Sequence, residues 1–178
     1  MTARRSDISV RVLAPAELSR ATELDVGEAG STLFVQRGRD LSTIGREWAR
    51  PSDPGDEMLH YVERWRWIAA NGGAALGAFA GDRVVGIAVL RLELEPGVAQ
   101  LDGLYVDRGH RRAGVGRALS DRAEALARAS GAREIYVSAT PTPPAVGFYR
   151  SRGFEPTDQP NANLLSLEPD DVHMRKAL

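Results

Sequence analysis

Leu104-Tyr-Val-Asp-Arg-Gly-His-Arg-Arg-Ala-Gly-Val-Gly-Arg-Ala-Leu119 joins a strand-like run to a helix-like one through a polar turn. The strand ends near Val106, and the helix opens within residues 112–116. A helix start exposes unpaired N–H groups and the positive end of the backbone dipole, which together favour a phosphate. Gly114 and Gly116 have no side chain to block a close backbone approach, and Arg111, Arg112 and Arg117 add positive charge around the same turn. A plain strand-to-helix turn, with glycines for packing, would also read this way.

The flanks narrow the choice. A P-loop needs a Lys-Ser/Thr pair after its second glycine, and Arg117-Ala118 stands there instead. A dinucleotide fingerprint wants a third glycine or an alanine at position 119, which is Leu119, and it follows the first strand of a parallel βαβ unit. Upstream of this turn lie two strand-like runs, 75–80 and 84–94, joined by Gly81-Asp82 in the manner of an antiparallel hairpin. Both readings fail on that context.

A third fits. Arg111-Arg-Ala-Gly-Val-Gly116 resembles the Gln/Arg-x-x-Gly-x-Gly/Ala element of the GNAT superfamily of N-acetyltransferases. Upstream, Leu101-Asp-Gly-Leu-Tyr-Val106 resembles the strand that precedes this element in that family. Downstream, Ala145-Val-Gly-Phe-Tyr-Arg-Ser-Arg-Gly-Phe154 resembles its Ala-x-x-Phe-Tyr-x-x-x-Gly-Phe signature. Three parts in order at matching separation cover residues 72–154 well and the N-terminal 70 residues in outline only.

The resemblance implies an acetyl-CoA-dependent enzyme that moves an acetyl group to a primary amine by direct attack in a ternary complex, coenzyme A being the product. It implies that main-chain N–H groups of Arg112, Ala113, Gly114, Val115, Gly116 and Arg117 cradle the pyrophosphate, with Arg111 beside them. It implies that main-chain groups of Leu104, Tyr105 and Val106 pair with the pantetheine arm, with the Val106 N–H aimed at the thioester carbonyl. Tyr149 then protonates the departing thiolate, a task that suits a phenol neutral at working pH. Phe148 is expected at the coenzyme as well. Thr142 is expected at the coenzyme too, where the family often has an Asn that helps hold pantetheine, and a Thr there departs from the pattern.

The attacking amine needs a proton acceptor, since an alkylamine with a pKa of about 10.4 is mostly protonated at pH 7. The family often uses a carboxylate on the strand before the turn, and motif spacing puts Gln100 there, whose amide is no base. Asp102, two residues on, shares a face with Gln100, Leu104 and Val106 if the strand alternates regularly, and it is the expected base. Glu93 and Glu95 are alternatives, and a solvated edge charge is the plain reading of all three.

Working outward, residues 8–13 alternate as a first strand with Ile8, Val10 and Val12 on one face, and 15–26 read as a helix. Residues 27–50 are ambiguous, 33–35 and 44–48 reading either as short strands or as an irregular connection. Asp53-Pro54 opens a helix that Asn71-Gly72-Gly73 stops, with Trp65 on its apolar stripe. Trp67 points elsewhere, to core-free surface or an acceptor pocket. Further strands are expected at 99–106, 134–138 and 172–174, helices at 113–130 and 144–152, and a flexible loop at 159–163. The expected fold is one mixed α/β domain over 1–178, with a mostly antiparallel sheet of six to seven strands and about four helices.

Composition excludes several alternatives. The 178 residues contain no cysteine, which removes disulfides, thiolate metal sites and cysteine nucleophiles together. A net charge of −1 argues against a strongly electrostatic nucleic-acid binder, and all but one of the basic residues are Arg, a skew typical of a GC-rich genome. His60, His110 and His173 lack metal-ligand spacing, so no metal is expected. Residues 1–7 are followed by no apolar signal segment, and no apolar run reaches the ~20 residues of a membrane span, so a cytoplasmic protein is expected. The resemblance implies a small-molecule or peptide amine as acceptor and leaves a homodimer open. A domain of the same fold that binds acyl-CoA without transferring it is the alternative.

Overall fold

The computed structural model describes residues 8–53 and 55–178. The readings of residues 1–7 and of Pro54 as a first helical residue lie outside the described residues. Among the described residues, nine strands and four α-helices follow in the order β1 (Ile8–Val12), β2 (Glu28–Arg37), β3 (Asp40–Arg50), α1 (Gly55–Ala70), β4 (Ala74–Ala80), β5 (Arg83–Glu95), β6 (Val98–Val106), α2 (Val115–Ala129), β7 (Glu134–Ala139), α3 (Pro143–Ser151), β8 (Glu155–Pro156), α4 (Ala162–Leu167) and β9 (Val172–Ala177). The residues expected as a first helix form a 3₁₀ helix, Pro15–Glu23.

Seven strands make one sheet in the order β1-β4-β5-β6-β7-β9-β8, and only β6 and β7 run parallel. On one face, Met58, Val62, Trp65 and Ile68 of α1 pack with Leu18 and Leu24 against Ala75, Ile87 and Val89. On the other, Val115, Leu119, Ala123 and Ala127 of α2 pack against Leu76, Val85, Ala88 and Leu101, joined by Val146 and Tyr149 of α3. Each helix buries one stripe at helical spacing, so the sheet is covered on both faces.

Two expectations change. Residues 27–50 are a long hairpin, β2–β3, closed by the two-residue Gly38-Arg39 turn and paired apart from the main sheet. It is docked by the amide of Phe34 donating to Pro141 O (2.7 Å) and by Gln36, which bonds both main-chain groups of His173. Residues 159–163 are not a loose loop. Asn161 caps α4 by accepting from the Asn163 and Leu164 amides, while its own amide donates to Glu95.

The parallel pair sets up the site. β6 and β7 pair only through 98–100 and 134–136, and beyond Gln100 and Tyr136 the two strands part. Within β6, Val89 pairs with Gly103 but Leu90 with Leu101, so Asp102 is the extra residue of a β-bulge. Regular alternation fails there. Asp102 and Gly103 both face α1, where a Cβ on Gly103 would stand 2.6 Å from the Trp65 ring, while Leu104 and Val106 pack with the α2 core. The expectation that Asp102 shares a face with Leu104 and Val106 is therefore corrected.

Candidate active site

A cleft of about 1030 Å³ opens where β6 and β7 part, lined by residues 101–106, by Ser138, Ala139 and Thr140, by the turn into α2 and by Phe148 and Tyr149 of α3. The ladder decides which main-chain groups face it. The Asp107 amide donates to Val85 O (3.0 Å), so by antiparallel alternation Tyr105 and Gly103 also bond β5. Leu104 and Val106 turn their N–H and C=O groups to the opposite edge, the one β7 has left. Tyr105 contributes its ring to the cleft and its main chain to the sheet, which narrows the expected strand-like pairing to Leu104 and Val106.

The turn into α2 is a concavity of amides. Arg112 is the one described non-glycine residue with a positive φ (62°), and Gly114, the N-cap, follows at φ 87° with no side-chain cap. Such alternation points successive N–H groups to one side, ahead of a helix N-terminus. A Cβ on Gly116 would meet the Phe148 ring at 3.2 Å, so the glycine keeps α3 close. Arg112, Arg117 and Arg152 line the cleft here, and the Arg117 side chain is exposed. Ala113 belongs to the turn but does not line the cleft.

Arg111 is spent on structure. Its guanidinium donates to the carbonyls of Val26 (3.1 Å), Gly27 (3.2 Å) and Val106 (3.4 Å) and pairs with Glu28, fastening the turn to the start of the β2–β3 hairpin. Asp107 supports the same turn by accepting from the Gly109 and Asp25 amides, His110 and Arg83. Burial pushes its pKa up, but those donors outweigh burial and hold it below the usual carboxylate range. Arg108 is exposed and does not line the cleft.

Thr142 is buried at the N-cap of α3 and makes no side-chain cap bond; Thr140, Pro144 and Ala145 line the cleft in its place. Thr142, expected at the coenzyme, is therefore not among the residues that line the cleft. Tyr149 is 8% exposed and lines the cleft, and its hydroxyl bonds to no described residue. Burial raises its pKa and the negative charge of Asp171 raises it further, so the phenol is neutral and able to donate.

Asp102 reaches the cleft lining, yet its carboxylate is engaged. Arg64 of α1 pairs with one oxygen and the Trp65 indole donates to the other (3.1 Å). Glu95 accepts from Asn161 and Arg175, and Glu93 is exposed at the far end of β5. Gln100 is buried with its Oε1 lacking a partner among the described residues. Of the residues that sequence reasoning passed over, Arg50 lines the cleft from the end of β3 and lies over the Tyr105 ring (5.7 Å), and Glu28 lines it from β2.

Trp65 is fully buried, whereas Trp67 is 61% exposed and away from the cleft. His110 and His173 are engaged by Asp107 and Tyr136. Among the described residues no group of three or more His, Cys, Asp or Glu is placed to hold a metal, and no helix is long and apolar enough to cross a membrane.

No curated protein sequence matches the chain. Solved structures do. A nourseothricin acetyltransferase superposes with a TM-score of 0.71 at 20% identity, covering 96% of this chain and 98% of its own. A streptothricin acetyltransferase from Bacillus anthracis, in complex with acetyl coenzyme A, gives 0.69 at 16% identity, covering 98% of both chains. The PaiA N-acetyltransferase from Thermoplasma acidophilum, in complex with coenzyme A, gives 0.62 at 17% identity over 97% of this chain and 99% of its own. These likenesses establish the fold. The model of the acetyltransferase (GNAT) family matches residues 42–154, which is more than half of the sequence and spans the bulged strand, the turn into α2 and Tyr149. The chain belongs to the GNAT acetyltransferase family.

Proposed function

We propose that this protein transfers the acetyl group of acetyl-CoA to a primary amine by direct attack within a ternary complex. The observation that carries the reading is the single cleft in which an amide-lined helix N-terminus, the free edge of β6 and the Tyr149 hydroxyl converge. Amides of the Arg112–Gly116 turn hold the pyrophosphate, and Arg112 and Arg117 add charge. The glycines pass the test of fit, since the turn leaves open space at Gly114 and close contact at Gly116. Leu104 and Val106 hold the pantetheine arm as an added strand would, with the Val106 N–H toward the thioester oxygen. Tyr149 supplies the proton to the departing sulfur. Arg111 acts as the brace behind the turn, and Phe148 packs beneath it.

Small amines, amine-bearing antibiotics, peptide N-termini and lysine side chains are the candidate acceptors, and the nourseothricin and ribosomal-protein-S18-alanine acetyltransferases of the same fold supply two of them by analogy. Calorimetry with acetyl-CoA on the wild type and on Gly114→Glu/Gly116→Glu tests the donor site, and mass spectrometry of an amine panel tests transfer. Expected are binding lost in the double variant with the fold intact, and an acetylated amine with the wild type. Binding without transfer to any amine would make this an acyl-CoA-binding module instead.

A further inference from the structure

We infer that Asp171, on the segment entering β9, is the group that takes the proton from the acceptor ammonium. The inference rests on the transferase reading above and names the base which that reading lacks. Val172 pairs with Ala139, so Asp171 follows level with Thr140; Thr140 lines the cleft, and Asp171 stands beside it without itself being a lining residue. Val172 and Met174 face the α2 core, so strand alternation puts Asp171 with His173 and Ser138 on the opposite face. That is the face from which an amine must come, because the α2 turn and Tyr149 take the donor from the other.

The remaining carboxylates at the cleft are engaged. Glu28 pairs with Arg111, and Asp102 with Arg64 and Trp65. The Asp171 carboxylate accepts no hydrogen bond and forms no ion pair among the described residues. It lies within electrostatic reach of Tyr149 on α3 and of Arg50 on β3, with Glu168 and Asp170 beside it on its own segment. Burial first, then Glu168 and Asp170, lift its pKa to about 7 against the opposing charge of Arg50, which is where a general base works best.

The step balances as follows. One N–H proton of the ammonium passes to an Asp171 oxygen, freeing the nitrogen lone pair. That pair forms the C–N bond at the thioester carbonyl, and the C–S bond breaks with its electrons leaving on sulfur. The Tyr149 hydroxyl protonates the sulfur, the phenolate recovers a second proton from nitrogen, and Asp171 releases its own to solvent. The products are an amide, a thiol and one proton.

The test uses the full chain, acetyl-CoA, and whichever of nourseothricin, spermidine or an alanine-terminated peptide the wild type acetylates fastest. With the wild type, kcat/KM is expected to rise through an apparent pKa of about 7. Asp171→Asn is expected to lose roughly 10²–10⁴-fold at pH 7 and to approach the wild type near pH 10, with Asp171→Glu recovering part of the loss and acetyl-CoA affinity unchanged. Asp170→Asn serves as the fold-matched control: it keeps the base, so it should reach the wild-type plateau of kcat/KM, with the midpoint moved to lower pH because one repelling charge is gone. An Asp171→Asn profile that overlays the wild type's overturns the inference and leaves the transferase reading standing, while failure of the wild type on every amine overturns both. Carboxyl carbon NMR of the wild type gives an independent reading: titration near 7 supports the assignment, and titration below 5 overturns it.

Discussion

The Asp102 carboxylate on β6 and the Arg64 guanidinium on α1 form an ion pair in which the carboxylate side chain is only 1% exposed, and the Trp65 indole closes its second oxygen. The pair sits on the bulge that separates the two edges of the cleft, so it fixes α1 to the strand at the point where alternation breaks. A carboxylate with both oxygens engaged holds the strand in place. Asp102→Ala should cost about 2 kcal/mol, because the buried Trp65 indole N–H loses its acceptor, while the partly exposed Arg64 keeps Glu168 as a second partner. Denaturant unfolding measures the loss. The shape of the kcat/KM pH profile should be unchanged, and a profile that loses its neutral-pH limb would return the role of base to Asp102.

Arg112 pairs an unfavourable backbone with a useful charge. Its φ of 62° costs an L-residue about 1 kcal/mol, which glycine avoids, although glycine also gains freedom in the unfolded chain. Arg112→Gly should therefore leave stability within about 1 kcal/mol of the wild type. Acetyl-CoA affinity should fall several-fold at low salt and converge with the wild type as salt screens the lost charge. Equal affinities at low salt would remove the Arg112 side chain from the donor site.

Tyr149→Phe keeps the ring among Phe148 and Phe154 and deletes only the hydroxyl. Removing a general acid should lower kcat roughly 10²–10⁴-fold while the dissociation constant for acetyl-CoA changes little. Steady-state kinetics beside calorimetry separates the two quantities. Wild-type turnover in the variant would leave Tyr149 as a packing residue whose hydroxyl merely faces solvent in the cleft.

What the sequence made legible follows its periodicity and its local motifs. The α1 stripe, the β4–β5 hairpin and the glycine turn into α2 were readable because local periodicity and turn chemistry dictate them, whereas Tyr149 was singled out only by the resemblance of residues 145–154 to the family signature. The β2–β3 hairpin was not, because it stands off the main sheet: Leu33, Phe34 and Val35 run consecutively, and no single buried face imposes alternation. Asp102 was misplaced by the bulge, one extra residue that only pairing with β5 reveals. Thr142 was read at the coenzyme from motif spacing alone, whereas the chain lines the cleft with Thr140 and buries Thr142 at the N-cap of α3. Asp171 had no local signal at all. Its importance comes from Ala139, Tyr149 and Arg50, residues far away in the chain.

Asp171 should also make the wild type less stable as the pH rises. Burial and two acidic neighbours lift its folded pKa to about 7, above the value of about 4 expected in the unfolded chain. Between those values the folded state holds a proton that the unfolded state releases, so ionisation favours unfolding. The stabilising contribution is complete below the unfolded pKa, declines between about pH 4 and 7, and is gone above the folded pKa. Asn cannot ionise and escapes this penalty. Thermal unfolding of Asp171→Asn should match the wild type near pH 4, exceed it by a margin that widens toward pH 7, and hold that margin at pH 8. The neighbouring Asp170→Asn also relieves some repulsion, so its gain should be smaller at every pH. A melting temperature for Asp171→Asn that runs parallel to the wild type from pH 4 to 8 would mean that the carboxylate titrates as an ordinary surface acid, and the cleft would then hold no base poised near neutrality on this strand.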